Sequence, residues 1–171
     1  MVLLIDDFIL SWFNTHKHQA LWLVPLLAFL EACPGLGLFV SGVILLSVST
    51  LLYTEQLATL SQIIPLAFVG ACLADHLGFY LGRTLGPTVH QLPLLKNRAT
   101  QLQKAEQFIR KYGAVAMVVG RLMTAIRSLV PMTLGASGVG RLAFSLADLL
   151  ACTIWTAGLA ALVLGLEGFF N

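Results

Sequence analysis

The chain has 171 residues, of which 58% are hydrophobic and 11% charged, and its mean hydropathy is +0.88. Soluble domains use roughly 25% charged residues, so this composition excludes an ordinary water-soluble domain, and a net charge of +2 gives no broad basic surface for nucleic acid. The length suits a single membrane domain over 1–171, with no separate soluble domain left over.

At the N-terminus, Asp6 and Asp7 stand where a cleaved leader would carry Lys or Arg, so the segment is expected to stay attached. Ile5, Phe8, Ile9 and Trp12 recur at helical spacing opposite those acids. This predicts either an interfacial amphipathic helix over 2–14 or a plain start to the first membrane segment.

Four apolar stretches follow: Ala20 to Tyr53, Ile63 to Leu85, Ala114 to Gly140 and Leu142 to Leu166. A membrane crossing needs about 20 residues, and two crossings with a turn need roughly 45. The second and fourth stretches fit one crossing each. The first is too long for one and too short for two, and it contains Pro25, Glu31, Pro34, Gly35 and Gly37. The third is interrupted by Arg121, Arg127, Pro131, Gly135 and Gly138. Both are expected to be broken. Broken backbone at membrane depth has to be covered by protein or by a water-filled cavity, which predicts two re-entrant helical hairpins; long, kinked helices are the alternative. The expected fold is therefore an all-α integral membrane protein. Its halves, about 20–86 and 113–168, each combine a broken segment with an intact helix, the order of an inverted repeat.

Between the halves, residues 96–111 include Lys96, Arg98, Lys104, Arg110 and Lys111 against the single acid Glu106. The positive-inside rule puts this connection, about 94–112, on the cytoplasmic side. Leu95, Ala99, Leu102, Ala105, Ile109 and Tyr112 fall at helical intervals, so a second amphipathic interfacial helix is expected there. Its charges set topology and meet anionic lipid, or draw a phosphorylated head group inward.

An Asp, Lys or Arg at the centre of a membrane helix costs roughly 2.5–3.5 kcal/mol, so each needs a partner, water or a function. Glu31, Asp75, Arg121 and Arg127 are the four to explain. Asp75 shares a face with Gly78, Gly82 and Gly86, whose spacing invites close helix packing, so its carboxylate is expected to face protein, as an ion-pair partner or a proton carrier. Arg121 and Arg127 are about 120° apart on an unbroken helix, and a break between them would let both converge. Guanidinium groups stay charged and form bidentate bonds to phosphate or carboxylate, so two in a dry cavity suit an anionic head group or a pair of acids. Glu31, in an apolar setting, is a candidate for proton coupling.

His76 and Arg141 are expected at the interface, and Asp148 carries no clear signal. Cys33, Cys72 and Cys152 are far apart with no paired ligand spacing, and are expected to be packing residues. No nucleophile and base arrangement, phosphate loop, metal cluster or dinucleotide fingerprint stands out, so neither enzyme chemistry nor a cofactor is expected.

The run from Ala74 and Asp75 through Gly78, Tyr80, Gly82, Arg83 and Gly86 resembles a signature segment of DedA membrane proteins, also called SNARE-associated or VTT-domain proteins. Phe108, Arg110 and Gly113, then Gly120, Arg121, Arg127 and Pro131, then Gly135 and Gly138, are similar to further motifs of that family in the same order, and the match continues to Phe144 and Trp155. The resemblance covers most of the chain. It implies paired re-entrant hairpins in a bacterial inner membrane protein that moves lipid between leaflets, often undecaprenyl phosphate, with dependence on a proton or sodium gradient. By position Glu31 matches the family's acid in the first hairpin, and Arg121 and Arg127 its two functional arginines. Val43 stands where many members have a second acid, and Leu122 and Thr124 replace a Phe and a Pro. Partners are then a membrane lipid, undecaprenyl phosphate or another phospholipid, and protons or sodium ions. A homodimer is compatible with the pattern. Two other readings stay open: a small-ion antiporter using Glu31 and Asp75, and a non-transporting scaffold in which the charges are structural pairs.

Overall fold

The computed structural model describes residues 17–34, 36–38, 41–86, 88, 99–123 and 127–170. The helix expected over 2–14, and Lys96 and Arg98 of the basic connection, lie outside these residues. Every regular element among the described residues is helical.

The first apolar stretch is broken, as its prolines and glycines predict. Helix α1 runs Lys17–Ala32 and stops just before Pro34, which disfavours helix in the residue ahead of it. A single 3-10 turn at Leu36–Leu38 follows. Helix α2 then runs Gly42–Thr54, with Ser41 Oγ accepting the Val43 N–H at 3.3 Å as its N-cap. These helices of 16 and 13 residues are about 24 and 20 Å long, short of the roughly 30 Å hydrocarbon core.

Helix α3, Leu60–Leu85, has 26 residues, about 39 Å. Gln62 Oε1 accepts the Thr59 N–H at 3.0 Å at its start, closing the first turn. Helix α4, Ala99–Tyr112, carries the basic connection. A 3-10 turn at Gly113–Val115 leads to α5, Ala116–Leu122, and the next described helix is α6, Val130–Ala136. The last helix, α7, spans Arg141–Phe170, 30 residues. Short helices followed by a long one thus occur in both halves.

Helix α3 is the central element. It packs against α1 on one side, α6 on another and α7 along a third, and small residues allow it. A Cβ at Gly70 would collide with the Pro25 carbonyl of α1, and one at Gly82 with the Met132 carbonyl of α6. Gly135 of α6 returns the contact, lying against the Phe79 carbonyl, and Gly78 faces Pro34 and Pro131. Gly86 departs from the expected stripe. It has φ +53 and ends α3, and a Cβ there would meet nothing within 4 Å. The helix has already stopped, so its spacing from Gly82 no longer places it on that face.

Two larger apolar clusters account for most of the interior among the described residues. One joins Ala20, Val24 and Ala28 of α1, Leu45 and Leu52 of α2, Ile63 and Ala67 of α3, and Leu159 and Val163 of α7. The other joins Phe79, Ile109, Met117, Val130, Leu134 and Phe144, with the Phe79 and Phe144 rings stacked at 4.1 Å. Helix α4 contributes Ile109 to it. Tyr112, expected on the apolar face of this helix, is exposed and packs on Phe108 and under the Lys111 ammonium.

The surface inverts the pattern of a soluble bundle. Trp22, Val43, Val69, Leu73, Leu142, Leu146, Leu150 and Leu162 are exposed, whereas Glu31, Asp75, Arg121, Ser128, Thr133, Asp148 and Thr156 are buried. Water would penalise that arrangement and lipid favours it. Helices α3 and α7 are both long and apolar enough to cross a bilayer.

Candidate functional site

Between the two clusters the four costly charges meet. Asp75 comes from the middle of α3, Glu31 from the last turn of α1, Arg121 from the end of α5 and Arg127 from the turn before α6. The break in the third apolar stretch brings the arginines together. Helix α5 ends at Leu122, Met123 is extended, and the Arg127 N–H donates to the Met123 carbonyl at 3.0 Å. The two guanidinium groups thus do not ride on one continuous helix.

Arg121 Nη1 donates to Asp75 Oδ2, and its guanidinium lies over the Trp155 ring of α7, 5.0 Å from Cζ to centroid. Arg127 Nη1 is 2.5 Å from Glu31 Oε1. Asp75, Glu31 and Arg121 are 1%, 3% and 6% exposed. Each of these side chains has an oppositely charged partner in contact, which offsets part of the cost of taking it out of water. The pairing is incomplete: among the described residues, Arg121 Nε and Glu31 Oε2 have no hydrogen-bond partner. Each pair therefore retains bonding capacity for something else.

Backbone packing fixes Glu31. A Cβ at Gly42 would collide with Glu31 Oε1, and one at Gly37 with the Glu31 carbonyl. Gly42 went unnoticed in the sequence because only the approach of α2 to α1 gives it meaning.

Glu31, Asp75, Arg121, Arg127 and Trp155 line a polar cavity of about 10 Å³, room for roughly one water. Next to it, a groove of about 340 Å³ runs between α2 and α7, lined by Val43, Leu45, Leu46, Ile154, Leu159 and Leu162. Glu31 and Trp155 border both spaces. Val43 lies on the groove and keeps that wall apolar.

A second polar cluster was not legible in the sequence. Asp148 of α7 is fully buried, and His76 Nδ1 lies 3.1 Å from its Oδ2. His76 Nε2 is 3.2 Å from Ser145 Oγ, and the ring meets Phe144 edge-on at 5.2 Å. His76, expected at the interface, thus contacts helix α7 while its side chain stays 32% exposed. Cys72 and Cys152, expected to be separate packing residues, come together with Asp148. The available signal was the four-residue spacing within each of the pairs Cys72/His76 and Asp148/Cys152, which puts each pair on one helix face. Arg141 is exposed, with Cζ 5.9 Å from the Tyr80 ring.

A helical bundle with leucines outside and arginine–carboxylate pairs inside defines a membrane protein whose polar groups serve its interior. The VTT domain matches residues 33–164. The chain belongs to this family, the DedA family. It is 28% identical over 117 residues to the inner membrane protein YabI of Escherichia coli K12, covering 68% of this chain and 46% of that protein. It is 27% identical over 131 residues to an uncharacterized membrane protein of Buchnera aphidicola subsp. Baizongia pistaciae, covering 77% of this chain and 51% of the relative. The chain therefore spans about half the length of the curated relatives it matches. No solved structure matches it.

Proposed function

We propose that the chain transports an anionic lipid between the leaflets of a bacterial inner membrane, with undecaprenyl phosphate the best-fitting substrate and a proton as the coupling ion. The observation that carries this reading is the pair Glu31 and Trp155, which line both a polar chamber bordered by two guanidinium groups and an apolar groove. An amphipathic molecule needs that combination: cations for a phosphate, and an apolar wall for the first isoprene units or methylenes.

The polar chamber is too small for a phosphate while both ion pairs are closed. Head-group binding therefore exchanges one set of anions for another, the phosphate oxygens replacing the carboxylates at Arg127 and Arg121. Arg127 is the entry point, since its side chain is 16% exposed and that of Arg121 only 6%. A proton taken up by Glu31 releases Arg127, and loss of that proton restores the pair and expels the lipid. Pairing of short helices α1 with α2 and α5 with α6 supports the re-entrant reading, with the two halves gating the chamber from opposite faces and the basic helix α4 on the cytoplasmic side. A small-ion antiporter would leave the apolar groove without a role, and a scaffold would leave unused the bonding capacity of Arg121 and Glu31.

The test is leaflet exchange in proteoliposomes, read as exposure of undecaprenyl phosphate to a membrane-impermeant phosphatase. The wild type should accelerate exchange in response to an imposed pH gradient, and Arg127→Lys should retain the fold but lose most of the rate. Equal rates for protein-containing and empty vesicles would refute the proposal.

A further inference from the structure

We propose that Cys72, Asp148 and Cys152 form a binding site for a borderline-soft divalent cation, with zinc the best match, clamping helix α3 to helix α7. The donor atoms of these three residues lie within 4.8 Å of one another. Cys152 Sγ and Asp148 Oδ1 are already 3.4 Å apart. In a tetrahedral zinc site, with bonds of about 2.3 Å to sulfur and about 2.0–2.2 Å to oxygen, neighbouring donors sit roughly 3.5–3.8 Å apart, so small side-chain rotations suffice.

A second observation, independent of the clustering, points to a ligand. Asp148 is fully buried, yet its Oδ2 accepts no hydrogen bond among the described residues. His76 Nδ1 is 3.1 Å from that oxygen, but the same nitrogen is 3.0 Å from the Cys72 carbonyl, so the two acceptors compete for a single ring proton. A buried carboxylate grouped with two thiols is the donor arrangement that selects zinc over magnesium or calcium. The fourth position is left to a water or to His76 after rotation of its ring.

The neighbouring charges are compatible with a cation. Arg121, the nearest guanidinium on the polar chamber side, is already neutralised by Asp75. Cys152 Sγ lies 3.8 Å from Asp75 Oδ2, so the cluster adjoins the chamber. Occupancy would fix α3 against α7 beside the Asp75–Arg121 pair. This inference does not depend on the lipid transport reading.

The experiment is titration of the full-length protein, purified in detergent with its thiols kept reduced, with zinc(II) by equilibrium dialysis and with cobalt(II) by absorption spectroscopy. Stoichiometric zinc uptake and an intense thiolate-to-cobalt charge-transfer band are expected. Loss of one outer-shell partner typically weakens a metal site about 10–100-fold, so Cys72→Ser and Cys152→Ser, which remove ligands, should weaken zinc by more than about 100-fold. Cys33→Ser should leave binding unchanged. Absence of the cobalt band in the reduced wild type would overturn the proposal, as would zinc uptake undiminished in Cys72→Ser and Cys152→Ser. A Cys72–Cys152 disulfide in the oxidised protein, together with no metal uptake by the reduced protein, would overturn it as well. The wild-type spectrum decides the question even if a variant does not fold.

Discussion

Arg121 is held by a carboxylate on one side and an indole face on the other, a geometry that a planar guanidinium satisfies and an ammonium does not. Arg121→Lys is therefore expected to keep a positive charge at the site and still lose head-group binding by at least about 10-fold, because the forked hydrogen bonds and ring contact both go. Glu31 makes a different demand. Removing one member of a buried ion pair costs about 3–5 kcal/mol, so Glu31→Ala should lower the melting temperature of the purified protein clearly. Glu31→Gln, which keeps the shape and some hydrogen bonding, should lower it less while abolishing the response to a pH gradient. A Glu31→Gln protein that still responds to the gradient would remove Glu31 from the coupling step. The four central charges were legible in the sequence because intramembrane charge is costly and stands out against leucine. Asp148 and His76 were not, since each acquires its meaning from the opposite helix, and Asp148 read as a residue near the start of a segment.

At the scale of elements, the breaks were readable and the contacts were not. Pro34 with its flanking glycines, and Pro131 with Arg121 and Arg127, marked where regular helix has to stop, and α1, α2, α5 and α6 end or begin near those residues. The stripe of glycines on α3 was legible as a packing face, but its end was not: Gly86 continues the spacing after the helix has finished. The two positions separate in a stability experiment. Gly82→Ala forces a Cβ into the Met132 carbonyl and should cost about 1–3 kcal/mol by overpacking. Gly86→Ala meets open space and should also cost about 1–3 kcal/mol, through backbone conformation alone. Melting temperatures in detergent measure both. Pairing each with Met132→Ala tests the difference: a shift of α6 that the smaller side chain permits should partly relieve the Gly82 variant and leave the Gly86 variant unchanged.

For the molecule as a whole, the polar chamber and the apolar groove belong together, and Gly158 offers a way to separate them. Gly158 sits within α7 on the groove wall, and a Cβ there meets nothing within 4 Å. Gly158→Leu should fold normally, since α7 favours any helix former over glycine by up to about 1 kcal/mol, yet fill the groove and, on the proposed function, reduce transport. No composition or spacing argument reaches this groove, because its walls come from α2 and α7, far apart in the chain. The measurement that tests the account most directly is binding of undecaprenyl phosphate, its neutral alcohol and phosphatidylethanolamine to the detergent-purified protein, with Arg121→Ala and Arg127→Ala alongside. A charge-assisted hydrogen bond contributes about 1.5–3 kcal/mol, so the phosphate should bind roughly 10- to 150-fold more tightly than the alcohol, and folded arginine variants should lose that preference. Equal binding of phosphate and alcohol by the wild type, or a preference that survives in both variants, would contradict it.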